Sequence, residues 1–407
     1  MQWQELFGGC VVISFLAGCN SAPPAEYAVI APKSETYRAV NGSTNAYDTY
    51  VTAGAGVERL GTPSVTAVTF SAKQHDEAVV ALMPFIKQVT RGVGQPCTFT
   101  FSPHGPFEAT PYRRGWRLLG RALTWNIQDA LAQSRWDDAI NATIVGSKFG
   151  FDLTGGDASD ATLGLLLVDG ARKAIAPFLE RLDKSQLNRL QIGMREGLTR
   201  RAPTSQILDH EQLNMAQAIQ ILQDNYRDHS LTKLSDKIGM IGQEPFKKLS
   251  ELYSQDSHKR SEFFQELLTA SAEETAWLKT ISGLPAMSRS TVPAPEYPKS
   301  KRWKGFVKLF FGAGRPVLGL LDATVARTRL MILELSLLEL HKSNQPAPQN
   351  LNSFADDIKI DPYSGKPFMY RAVDGTIIVY SVGENGRDDG GDSDESFSSP
   401  DLKLETR

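Results

Sequence analysis

The chain has little cysteine, little histidine, no excess charge of either sign and no long apolar run, and each shortage excludes something. Three cysteines in 407 residues, Cys10, Cys19 and Cys97, cannot build a disulfide framework. Six scattered histidines (His75, His104, His210, His229, His258, His341) include no HExxH and no pair at metal-ligand spacing, so a zinc-protease motif is excluded. Lys plus Arg number 44 against 46 Asp plus Glu, a net charge of −2 that lacks the positive field of a dedicated nucleic-acid binder. The longest apolar block, residues 6–18, falls short of the roughly 20 residues a membrane-spanning helix needs. Phosphate-cradling and nucleophile-elbow signatures are missing too. No Walker A loop or Gly-x-Ser-x-Gly occurs, Gly312-Ala313-Gly314 lacks the third glycine of a dinucleotide loop, and the Ser-x-x-Lys at Ser230 to Lys233 has no Lys-Thr-Gly after it.

What is present begins at the N-terminus. The apolar block has signal-peptide length and ends in Leu16-Ala17-Gly18-Cys19. That tetrapeptide resembles the bacterial lipoprotein processing site, and the resemblance implies that Cys19 receives a diacylglyceryl group and becomes the first mature residue. The n-region departs from the pattern, with Glu5 and no Lys or Arg. On this reading Cys10 leaves with the signal and Cys97 remains the single thiol, so core packing holds the mature chain together.

Residues 20–44 are rich in Ser, Ala, Pro and Thr and read as a flexible tether. Residues 45–283 read as an α-helical domain. Asn45 is a good N-cap; apolar residues recur at helical spacing over 72–91 (Ala78, Val79, Leu82, Phe85, Ile86, Val89) and over 112–133 (Leu118, Leu119, Leu123, Ile127, Leu131). Further helices are expected over 136–149, 161–182, 184–201, 206–227, 233–254 and 260–281. The segment Ala130-Leu-Ala-Gln-Ser-Arg-Trp-Asp-Asp-Ala139 resembles the hinge of a tetratricopeptide-type hairpin, but no repeat of 34 residues accompanies it. Residues 284–312 are Pro- and Ser-rich and read as a linker or long loop. In 313–407, one long helix over 316–341, interrupted by Asp322, Arg327, Arg329 and Glu334, precedes a short antiparallel sheet with Asp374-Gly375 at its hairpin. The expected fold class is therefore mostly α, stacked helical hairpins with a small C-terminal α+β module.

The order long helix, Asp361-Pro362, Gly365, Tyr370-Arg371, Asp374-Gly375, Tyr380-Ser-Val-Gly, Asn385-Gly-Arg-Asp-Asp-Gly-Gly391 and Pro400-Asp401-Leu402 resembles the C-terminal part of the major pseudopilins of type II secretion systems. It covers about a quarter of the chain. With the helical region, the chain also looks like bacterial envelope lipoproteins that end in such a module. The resemblance implies a calcium ion in the last loop, and Asp388, Asp389, Asp392, Asp394 and Asp401 supply the hard oxygen donors calcium takes. The chain departs from pseudopilins at its start, where a lipobox stands in place of a prepilin-peptidase site followed by a polymerising helix.

These features lead to a lipid-anchored cell-envelope scaffold facing the periplasm or the exterior, held at a membrane through its lipid and contacting envelope proteins, with calcium as the implied cofactor, no nucleic acid and no evident catalysis. Two alternatives stay open: an accessory component of a type II secretion or pilus-like machine, and an envelope hydrolase with catalytic residues on 94–111 or 154–160. The hydrolase reading requires a deep pocket with converging His, Asp or Glu. Arg114, Arg117 and Arg121, on one helical face, read first as a solvated surface and second as a contact for anionic lipid or acidic partners.

Overall fold

The computed structural model describes residues 39–40, 42–60, 72–100, 110–227, 257–295, 314–373, 376–391 and 401–403. Within them the protein is mostly helical with a three-stranded antiparallel sheet at the C-terminal end. Cys10, Cys19, the tether, the helix expected over 233–254, and Asp392 and Asp394 lie outside the described residues.

The body is built from α1 (Ala46–Arg59), α2 (Ala72–Gly92), α3 (Pro111–Ala132), α4 (Trp136–Leu153), α5 (Ala158–Ile175), α6 (Lys184–Thr199), α7 (Thr204–Arg227) and α8 (Ser257–Ser282). Local chemistry sets several of the starts. Asn45 accepts the Tyr47 N–H, Asp157 the Asp160 N–H, and Asp183 forms a reciprocal capping box with Gln186. The expected break after Gln133 is present, with Ser134 at φ 55° before α4 begins. The helix expected over 161–182 starts earlier and tightens into a 3-10 segment, Ala176–Arg181, where Pro177 cannot donate the next helical hydrogen bond.

α4 is the central element. It packs against α3, α5 and α6, while α1 lies on α2 and α3. Backbones meet where side chains would keep them apart: a Cβ on Gly164 of α5 would sit 2.2 Å from the Gly150 carbonyl of α4. Trp116, Tyr50, Phe149 and Phe151 are fully buried, each contributing about 1.5–3 kcal/mol by leaving water. Trp116 also donates its indole N–H to the Tyr50 carbonyl at 2.7 Å. Trp116 is thus core, and the half-buried Trp136 packs beside Phe178 behind the hinge.

The long helix α9 (Gly314–Lys342) joins the two parts of the molecule. One side packs on α5 and α6, and another carries β2 and β3 and the one-turn helix α10 (Asp356–Lys359). Its apolar residues belong to a core that runs from Leu187 and Leu190 through Leu330 and Leu333 to Phe368 and Val379. Strand β1 (Met369–Val373) pairs with β2 (Thr376–Ser381), and β2 pairs with β3 (Leu402–Lys403) through Tyr380↔Lys403 and Ser381↔Leu402. The first part of the Pro- and Ser-rich segment is docked: Ala286 and Met287 donate to the Pro362 and Tyr363 carbonyls, and Arg289 pairs with Asp322 of α9. None of the described helices is long and apolar enough to cross a membrane.

Candidate functional sites: the C-terminal loop and a buried carboxylate cluster

The chain leaves the sheet at Ser381 and returns at Leu402, so the intervening glycine- and aspartate-rich loop is closed at its base by the β2–β3 pairing. Asp361 anchors that base. Its carboxylate accepts the Tyr363 N–H and the Ser381 hydroxyl, both at 2.9 Å, which fixes the Asp-Pro turn to the end of β2. Gly383, Gly386, Gly390 and Gly391 all have φ between 60° and 86°, the left-handed region that side chains avoid, and this lets the loop curl back on itself.

The loop aspartates have unlike surroundings. Both oxygens of Asp388 face the Arg371 guanidinium at 2.8 and 3.0 Å, and one also accepts the Tyr380 hydroxyl at 2.7 Å. The Tyr380 hydrogen bond, with Arg371, holds its carboxyl below the usual range. Asp401 is fully buried. One of its oxygens accepts the Asp389 and Gly391 N–H groups at 3.1 and 2.8 Å, and burial, with the Asp389 charge, pushes its carboxyl up. Asp389 is exposed and accepts from Asn385 at 2.7 Å.

As donors to calcium, Asp389 and Asp401 fit: hard oxygens, neighbouring like charges and backbone bent by glycine. Asp388 is committed to Arg371. Among the described residues Asp388, Asp389 and Asp401 do not converge as a set of three; the set that does is His75, Asp76 and Asp129 on α2 and α3. There Asp76 stands open to solvent and His75 lies edge-on to Trp125 at 4.7 Å.

A second concentration of charge lies inside the helical body. Arg113 of α3 reaches the turn between α4 and α5, where its guanidinium donates to both Asp157 and Asp160, each only 2% exposed. Glu211 of α7 accepts the Ala158 N–H at 3.2 Å from the other side, and Asn214 donates to Asp157. Gln206 donates to the Gly155 carbonyl at 2.9 Å, and His210 Nδ1 lies 3.2 Å from the Gly156 carbonyl. Burial pushes the carboxyls of Asp160 and Glu211 up to about 7; the charge of Asp157 acts the same way on both, and Arg113 opposes it.

This cluster falls on the 154–160 segment where a hydrolase reading would put catalytic residues, and it does gather His210, Glu211, Asp157 and Asp160. Its aspartates are sealed from solvent, and the two clefts described elsewhere, of about 310 and 530 Å³, are lined by other residues. The smaller cleft lies between α8, α9 and the C-terminal loop, with Trp277, Arg315, Asp322 and Glu384 on its walls. Of the three aligned arginines on α3, Arg114 pairs with Glu58 at 3.2 Å, while partial desolvation and the charges of Arg121 and Arg114 lower the pKa of the exposed Arg117.

The sequence assigned no site role to Asp361, Arg113 or Glu211. The first was legible as an Asx-turn residue before proline; the others carry no local signal, since their partners are 44 to 53 residues away in the chain. Compared with family models, curated proteins and solved structures, the chain matches none.

Proposed function

We propose that this protein is a lipid-anchored scaffold of the bacterial cell envelope, tethered through Cys19, whose helical body and C-terminal module present surfaces to other envelope proteins. The observation that carries the reading is the Leu16-Ala17-Gly18-Cys19 motif followed by a Ser/Ala/Pro-rich stretch of tether composition. The fold supports it. A continuous core shared between helical body and sheet suits a rigid interaction platform, and several ion pairs join separate segments of the body, as with Arg113–Asp157, Arg195–Asp357 and Arg200–Asp152.

In this reading the C-terminal loop is ordered by calcium through Asp389 and Asp401. The ion would supply charge neutralisation for two carboxylates that crowd each other. A secretion- or pilus-like machine is one setting for such a scaffold, suggested by the pseudopilin-like run from Tyr380 to Gly391.

The test is fractionation of the full chain and its Cys19→Ala variant after expression in a bacterium with labelled fatty acid. The expected result is label on the native chain in the membrane fraction, and loss of both label and membrane association in the variant. Equal distribution of the two, without label, would overturn the anchored reading.

A further inference from the structure

The N-terminal half of α7 meets the turn at residues 154–158 through a row of polar groups, with Ile207 among them in one apolar cluster with Phe151 and Ala158. Gln206, His210, Glu211 and Asn214 fall at i, i+4, i+5 and i+8, one face of the helix, and each touches a group of that turn. Behind the turn stands one guanidinium, that of Arg113. Three carboxylates, the two aspartates buried and Glu211 half-buried, therefore share the positive charge of Arg113. Two of them, Asp157 and Asp160, are fixed within one turn of α5, with Asp157 capping it. The third, Glu211, belongs to α7, so it alone can leave if the cluster carries too much negative charge.

We propose that this contact is a pH-responsive clasp: protonated, it holds α7 on the α4–α5 turn, and deprotonated, it loosens so that the N-terminal half of α7 lifts away. The groups facing Glu211 and Asp160 agree with that direction. From α3 come Arg113 and Tyr112, and from α1 comes Tyr47, a hydroxyl that burial, with Tyr112 and Asp160, keeps neutral. From the turn comes Asp157, and from α7 itself comes His210, whose ring Nδ1 lies 3.2 Å from the Gly156 carbonyl.

The sign follows from linkage. Carboxyls whose folded pKa lies above the unfolded value contribute stability that is complete below the unfolded value and is lost as pH climbs through the folded one. For Asp160 and Glu211 that interval runs from the ordinary carboxylate range up to neutrality. Opposing release are the fully buried Ile207, on the same face of α7 and in one apolar cluster with Phe151 and Ala158, and Leu208, which clusters with Leu278 and Leu318, so the outcome is local opening and not unfolding. The proposal is independent of whether the chain is anchored.

The test is hydrogen exchange of the full chain at about pH 5.5 and about pH 8.5, with intrinsic rates corrected for pH and α4 as internal reference. Protection over 204–214, relative to α4, is expected to fall about tenfold or more at the higher pH. Glu211→Gln, which is neutral at both, is expected to keep the protected state throughout. Should that variant fail to fold, Asp160→Asn gives the same reading from the other partner, with the pH response of α7 reduced. Protection of α7 that follows α4 at both pH values, or a response that survives in both variants, would overturn the clasp.

Discussion

Among the described residues, Arg113 and Arg371 each stand beside a group of aspartates, and the two places differ in nearly everything else. At the α4–α5 turn, Arg113 meets Asp157 and Asp160, side chains 2% and 3% exposed, inside the helical body. In the C-terminal loop, Arg371 meets Asp388, with Asp389 and Asp401 close by, and both members of the pair are more than one-third exposed. The same residue types therefore do different work. Inside, Arg113 cancels charge that water cannot reach, and its loss leaves Asp157 and Asp160 buried without a balancing cation from α3. Outside, Arg371 shares its aspartate with solvent, and the loop's shape comes from glycine φ angles and from the buried Asp401.

The sharpest way to break the comparison is Arg113→Met, which keeps the bulk of the side chain and removes the charge. Removing one partner of a buried ion pair costs roughly 3–5 kcal/mol, so the variant should melt far below the parent and lose more at alkaline than at acid pH. Adding Asp157→Asn and Asp160→Asn to it should restore part of the loss. A variant within about 1 kcal/mol of the parent in thermal unfolding would mean that the cluster is no more than a wet surface pair.

Legibility in the sequence follows the same division. The helices were readable because each buries a stripe, as in α2 and α3, and the C-terminal hairpin because Asp374-Gly375 separates two β-rich runs. The loop's carboxylates were readable as a group because they crowd within a few positions. What could not be read is where they point: nothing in Arg-Asp-Asp-Gly-Gly says that Asp388 turns to Arg371 and Tyr380 while Asp401, ten positions after Gly391, takes that glycine's N–H. The body cluster was hidden for a stronger reason. Asp157 and Asp160 look like an ordinary helix cap, and only the tertiary packing of α3 and α7 brings Arg113 and Glu211 to them. Likewise the segment read as a linker begins with residues that dock on the Asp-Pro turn, a contact set by Pro362 and Tyr363 far along the chain.

A smaller effect is expected from Asp401→Ala. It leaves the Asp389 and Gly391 N–H groups without their acceptor, a cost of about 1–3 kcal/mol that should appear as earlier loss of the tail and not of the helical body. Thermal unfolding with calcium and with chelator sharpens the test. If Asp401 is a calcium ligand, the native chain gains in melting temperature with calcium and the variant does not. An equal response in both would remove Asp401 from any ion site.

The smallest effect on stability belongs to Arg371→Met. The pair with Asp388 is exposed, so its contribution is screened by salt, and the variant should melt close to the parent, with the difference vanishing at high ionic strength. Its value lies in what it releases. Both Asp388 oxygens face the guanidinium, and a guanidinium and a calcium ion compete for the same lone pairs. Removing Arg371 therefore frees a third carboxylate beside Asp389 and Asp401. If the loop is a calcium site held below its full ligand count by this arginine, the calcium-induced rise in melting should be larger in Arg371→Met than in the parent, although the variant without calcium is no more stable. An unchanged rise would place Asp388 outside the ion's reach, and the exposed pair would then be a latch between β1 and the loop, the counterpart in water of what Arg113 does in the core.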